Sequence, residues 1–229
     1  MPDSVPDALL LITGTCPHCA ATAEAALRLV KEGRLGRLEV VNLDVRPERG
    51  AQLGARSVPW LRLGAFELTG GQSYKNLADW AARAAAGGGW TEYVVDLLTH
   101  RELERAVALV REHPDRLADL LALLADDELD LGLRIGISAL VEELAGSATL
   151  RALVPQLEQL TLSARPQTRA DACHFLGLAG DAAAGPTVRR LLDDEDAEVR
   201  EIAGETLAVL DIPAEEAVAG HPRPPGVGR

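Results

Sequence analysis

Three consecutive glycines, Gly87-Gly-Gly89, divide the 229-residue chain into two stretches whose apolar residues recur with different periods. Before them strand and helix signals alternate. After them only a helical period is present. A glycine run ends a helix and leaves a short hinge, and 229 residues suffice for two domains that each bury a core. The expected organisation is an α/β domain over 1–86, an all-α domain over 90–212 and a disordered tail over 213–229, which is rich in Pro and Gly.

In the first stretch Ala8-Leu-Leu-Leu-Ile-Thr13 and Leu38-Glu-Val-Val-Asn-Leu-Asp44 read as strands. Ala20 to Glu32 reads as the helix between them, with Ala23, Leu27 and Val30 on its apolar face and Gly33 closing it. A strand, crossover helix and strand at this spacing predict a parallel βαβ unit. A short helix over Arg49 to Gly54 follows. Trp60-Leu-Arg-Leu63 and Ala65-Phe-Glu-Leu-Thr69, split by Gly64, predict a hairpin. A last helix spans Ser73 to Ala86.

In the second stretch the spacing i, i+3, i+4, i+7 recurs at Leu103/Ala106/Val107/Val110, Leu117/Leu120/Leu121/Leu124, Ile137/Leu140/Val141/Leu144 and Leu150/Leu153/Val154/Leu157. A longer period overlies it. Leu124-Ala-Asp126 precedes Arg134, Leu160 precedes Arg169, and Leu192-Asp-Asp194 precedes Arg200, so the arginines fall 35 and 31 residues apart. These arginines are expected to bond neighbouring turns. The segments Ala170-Asp-Ala-Cys-His-Phe-Leu-Gly177, Val188-Arg-Arg-Leu-Leu-Asp-Asp194 and Glu198-Val-Arg-Glu-Ile-Ala203 resemble HEAT-type repeats. That resemblance covers 170–210 closely and 115–169 loosely. It implies an α–α superhelix offering a binding or dimerisation surface rather than chemistry of its own.

The net charge of −12 is uneven: residues 1–88 hold 10 Lys+Arg against 9 Asp+Glu, and the rest hold 13 against 26. An acidic surface repels phosphate backbones, so nucleic acid is not an expected partner. No stretch has transmembrane length, and the N-terminal Met-Pro-Asp-Ser-Val-Pro-Asp is unlike a signal peptide. The expected location is the cytoplasm, with no membrane partner. Thiols there are kept reduced, so a closely spaced cysteine pair points to reactivity rather than to a structural staple.

That pair lies in Thr13-Gly-Thr-Cys-Pro-His-Cys19, where the first strand ends and the first helix begins. The N–H groups and macrodipole of a helix N-terminus favour a thiolate, which assigns nucleophilic attack to Cys16. Cys19, one turn on, is placed to resolve a mixed disulfide. Pro17 suits a first helical turn, and a protonated His18 would add charge favouring the thiolate. A zinc site needs about four ligands. His100, His113, Cys173, His174 and His221 are scattered and provide no second pair, so no metal is expected. Cys173 reads as a small apolar core residue.

Residues 8–86 resemble the thioredoxin superfamily. The resemblance implies that Val58-Pro59, ahead of the third strand, forms the cis-proline loop that holds the substrate backbone beside the disulfide. Gly70-Gly71, Leu77 and Trp80 resemble the closing segment of glutaredoxins. Thioredoxins carry a Trp before the first cysteine and an acid in the preceding strand. Thr15 stands in the first place here and the strand has no carboxylate; Glu24 is the nearest acid in sequence.

The function expected is a dithiol thiol–disulfide oxidoreductase acting on a protein disulfide or dithiol, with Cys16 and Cys19 catalytic and Pro17, His18, Val58 and Pro59 tuning or binding. The helical repeats would select the partner or form a homodimer. No cofactor is expected beyond the disulfide itself, with glutathione as a candidate co-substrate. Two alternatives use the same residues: a non-enzymatic redox-sensing adaptor or scaffold, and a glutathione-dependent glutaredoxin.

Overall fold

The computed structural model describes residues 5–212, and the chain divides into two compact units, Met1–Tyr93 and Val94–Arg229. The tail expected to be disordered, 213–229, lies outside the described residues. Among the described residues no helix is long and apolar enough to cross a membrane.

The first unit runs β1 (Ala8–Ile12), α1 (Cys19–Lys31), β2 (Leu38–Asn42), α2 (Pro47–Gln52), β3 (Trp60–Leu63), β4 (Phe66–Thr69) and α3 (Tyr74–Ala85). Its sheet has the order β2-β1-β3-β4. β1 pairs parallel with β2 and antiparallel with β3, and β3 and β4 form the hairpin. β1 takes a central place because nearly every residue in it is apolar, so both of its faces can be covered. Leu9 and Leu11 pack with Val41 and Trp60 on one face, joined by Leu43, Leu53, Ala55 and Val58. Residues alternate across a strand, so Ala8 and Leu10 point to the other face. α1 and α3 pack on each other and reach β1 and β3. Ser73 caps α3 by accepting from the Asn76 N–H at 3.1 Å.

The apolar face of α1 differs from the expected one. The buried residues are Cys19, Thr22, Ala25, Ala26 and Leu29. Leu27 is 54% exposed, and Ala23 and Val30 are half-buried. The stripe that faces inward is set by Cys19 and carries small side chains, which allow a close approach. The larger Leu27 falls about 100° off it.

The first unit extends past Ala86 to Tyr93. The Tyr93 ring lies 5.2 Å from Phe66 and 5.7 Å from Trp80, centroid to centroid, both edge-on. Its hydroxyl donates to the Glu67 carbonyl at 3.0 Å and accepts from the Glu67 N–H at 2.9 Å, which occupies backbone groups of edge strand β4. Removing so buried an aromatic ring costs about 3–5 kcal/mol. Tyr93→Ala should therefore lower the unfolding midpoint of this unit sharply. Tyr93→Phe, which loses only the hydroxyl bonds, should cost about 1 kcal/mol. Tryptophan emission during denaturant unfolding reads this directly, because Trp60, Trp80 and Trp90 all lie in the first unit. An unchanged midpoint in Tyr93→Ala would show the ring to be dispensable.

The remaining helices are α4 (Trp90–Thr99), α5 (Leu103–Glu112), α6 (Leu117–Ala122), α7 (Leu131–Glu142), α8 (Ala148–Arg151), α9 (Val154–Leu160), α10 (Pro166–Ala179), α11 (Gly185–Arg190) and α12 (Ala197–Val209). In the second unit most of the Leu, Ile and Val positions expected from periodicity form the core, while Leu103 and Leu153 are only half-buried. Leu117, Leu120, Leu121, Leu124, Ile137, Leu140, Val141 and Leu157 are all fully buried. The spaced arginines bond neighbouring turns. Arg134 donates to the Leu124 carbonyl at 2.9 Å and pairs with Asp171. Arg169 donates to the Ser163 and Ala164 carbonyls and grips Asp194 with two bonds of 2.7 and 2.8 Å. Arg200 donates to the Asp194 and Glu195 carbonyls at 2.7 and 3.0 Å.

Candidate functional site

The Leu11–Trp60 pairing of β1 and β3 sets the site. β3 runs antiparallel to β1, so the segment entering β3, Val58-Pro59, sits at the same end of the sheet as the segment leaving β1, Thr13–His18. Cys16 and Cys19 are joined by a disulfide with a Cα–Cα separation of 5.5 Å, within the ordinary range. The first α-helical residue is Cys19, one position before the expected start at Ala20. Cys16 heads a separate turn ahead of it, its carbonyl accepting from the Cys19 N–H at 3.4 Å.

The two cysteines are unequally covered. Cys16 is half-buried, whereas Cys19 is 3% exposed and belongs to the inner stripe of α1. Pro17 and His18 are exposed. The first turn of α1 holds no acidic residue, and no side chain caps it, so its N–H groups remain oriented toward the turn that precedes it. The Val58–Pro59 peptide is cis, with Pro59 buried and Val58 half-buried.

Segment 70–72 links these parts. The Gly70 N–H donates to the Pro59 carbonyl at 2.9 Å. A Cβ at Gly71 would lie 3.2 Å from the His18 Cβ, so glycine permits this close approach. The Gln72 N–H donates to the Thr22 hydroxyl at 3.1 Å, and that hydroxyl donates to the His18 carbonyl at 3.1 Å. Thr22 is fully buried. Neither Thr22 nor Gln72 was expected from the sequence. The signal for Thr22 was its place three residues after Cys19, on a stripe continued by Ala26 and Leu29.

Other candidates stay apart. Glu24 is exposed and off the inner stripe, while the acid that reaches the turn is Asp44, which accepts from the Gly14 N–H. Cys173 is fully buried in α10. Burial pushes its thiol up to about 11, against a smaller opposing effect of its bond to Thr206, so it stays a protonated core residue at neutral pH. His174 is exposed, with Glu142 at 3.9 Å. His100 and His113 are exposed too, and His221 lies outside the described residues. Among the described residues no three His, Cys, Asp or Glu side chains are grouped so as to hold a metal ion. Comparison of the sequence with models of known protein families gives no match, and comparison with curated proteins gives no relative.

Proposed function

We propose that the chain is a thiol–disulfide oxidoreductase, with a thioredoxin-like first unit and HEAT-like repeats in the second. The observation that carries this reading is the asymmetry of the pair: Cys16 is partly open on a turn leaving β1, and Cys19 is buried at the start of α1. After reduction, the outer sulfur is the one a substrate disulfide can reach, and the inner one is shielded until a mixed disulfide has formed.

The chemistry balances as two exchanges. The Cys16 thiolate attacks one sulfur of the partner's disulfide; a bond forms between them, the partner's S–S bond breaks, and its second sulfur leaves as a thiolate. Cys19, having lost its proton, then attacks the Cys16 sulfur. This re-forms the Cys16–Cys19 disulfide and expels the first partner sulfur. Two electrons pass to the partner, and the two protons given up by Cys16 and Cys19 are matched by two taken up by the partner's thiolates. An external dithiol resets the pair, and the reverse flow uses the same groups. Uncapped N–H groups of α1 favour the Cys16 thiolate, and His18 and Pro17 border it. Val58-Pro59 aligns the substrate backbone in this reading, as the resemblance implies. The acidic helical unit selects the partner protein or forms a dimer.

Cys19→Ser tests the proposal. Incubated with a protein disulfide, the reduced variant should accumulate a covalent complex that maps to Cys16 by mass spectrometry and dissolves on adding a thiol. A complex mapping to Cys173, or none at all, would overturn it.

A further inference from the structure

We propose that Asp44 is a positioning residue for Cys16, holding a negative charge beside its turn and so keeping the pair more reducing than it would otherwise be. The proposal rests on the reading of Cys16 as the attacking thiol.

Asp44 follows β2, and its place is fixed by the sheet. The Leu43 N–H donates to the Ile12 carbonyl at 2.8 Å, extending the pairing of β2 and β1 by one residue. The Asn42 side chain then accepts from the Asp44 N–H at 2.8 Å, which turns the chain. From there the Asp44 carboxylate accepts from the Gly14 N–H at 2.6 Å, two residues before Cys16. A Cβ at Gly14 would stand 3.1 Å from the carboxylate oxygen, so the absence of a side chain there lets the bond be short. Among the described residues no cation lies within ion-pairing distance of Asp44, so its charge is not neutralised by a partner. Other charged or titratable side chains on the bordering segments are His18 on the turn, Arg46 after β2 and Arg56 ahead of Pro59; segment 70–72 has none.

A fixed negative charge near a thiol disfavours its thiolate. In a dithiol that destabilises the reduced form relative to the disulfide, which makes the couple more reducing. Removing the charge should act in the opposite direction. Asp44→Asn keeps an acceptor oxygen for Gly14 and removes only the charge, whereas Asp44→Ala removes both.

The test measures the acidity of the Cys16 thiol, from thiolate absorbance against pH, and the exchange equilibrium with glutathione. Asp44→Asn should lower the thiol pKa and move the equilibrium two- to tenfold toward the reduced protein, a tenfold change being ~30 mV for a two-electron couple. The shift should shrink in 1 M salt, where the screening length falls to about 3 Å; a purely structural role would not respond so. Asp44→Ala should show a similar shift together with faster hydrogen exchange at the Gly14 amide. An unchanged pKa and equilibrium in Asp44→Asn would overturn the proposal. These readouts need no turnover. A shift in a protein that fails to cycle would uphold the role of Asp44 and remove the oxidoreductase reading instead.

Discussion

Replacing Cys16 with serine should reduce disulfide exchange by ~100-fold or more, leaving only the uncatalysed reaction of the bulk reductant with the substrate. A hydroxyl does not ionise near neutral pH and cannot take the place of a thiolate. Cys19 is no substitute, since it is 3% exposed and lies on the inner stripe of α1. Cys173 is none either, being fully buried with its thiol pushed up to about 11. The matched variant Cys19→Ser should fail differently. It should complete one attack per chain and then stall, because the group that resolves the mixed disulfide is gone. The initial rate of substrate thiol release separates the two. Substantial exchange by Cys16→Ser would mean that another thiol attacks, and the assignment of roles would fall.

The second large effect is expected in the helical unit. Arg169 and Asp194 are each 8% exposed at the side chain and joined by two hydrogen bonds. Arg169 also holds the carbonyls that close the preceding turn, those of Ser163 and Ala164. Arg169→Ala strips the cation from a buried carboxylate, a loss of about 3–5 kcal/mol. Residues 94–229 contain no Trp or Tyr, so far-UV circular dichroism should record a large fall in the unfolding midpoint of this unit. Tryptophan emission, which reports on the first unit alone, should be left in place. Coincident shifts of both probes would contradict the assignment of independent cores.

The same pair predicts an acid response. The bond to Arg169 is the main cause holding the Asp194 carboxyl below its ordinary range. A depressed carboxyl contributes stability that is present above its unfolded pKa of about 3.9 and is lost as pH falls through the folded value. Asp171 acts in the opposite sense. Burial raises its carboxyl above the ordinary range despite the bond to Arg134, so its proton binds more readily in the folded state and acidification adds stability there rather than removing it. Asp194→Asn should therefore flatten the loss of helical stability below about pH 4, while Asp171→Asn should not.

Elements were legible where a run of large apolar residues fixed both the period and the burial. β1 is four Leu and Ile residues after an Ala, and the Leu-rich helices from Leu117 to Leu124 and from Ile137 to Leu144 bury the residues their spacing predicted. The arginine period was legible because the buried guanidinium groups of Arg134 and Arg169 must find carbonyls and a carboxylate, which turns of neighbouring helices supply, and the exposed Arg200 bonds the carbonyls of a turn in the same way. The inward stripe of α1 is not legible from side-chain size, because it follows Cys19 through Thr22, Ala25 and Ala26 while the larger Leu27 faces outward. The start of that helix was legible to within one residue, Ala20 being expected and Cys19 observed, and Cys16 opens a separate turn ahead of it.

What the sequence concealed is tertiary. Tyr93 lies beyond a glycine run that reads as a boundary, yet it packs on Phe66 and Trp80. Asp44 is thirty residues from Gly14 and reaches it only through the pairing of β1 with β2. Thr22 and Gln72 meet because segment 70–72 crosses back over the start of α1. None of these contacts leaves a local period. The pair Cys16–Cys19 was legible because its spacing and its place between strand and helix are local.

Turnover by the intact protein tests most directly whether the pair cycles. Substrate disulfides reduced per chain should be counted with a protein disulfide in excess and a dithiol present at a level that reduces the substrate slowly by itself. Many disulfides should be reduced per chain, with the Cys16→Ser background subtracted. A plateau at one disulfide per chain would contradict cycling and would leave a pair that changes state once, as a sensor does.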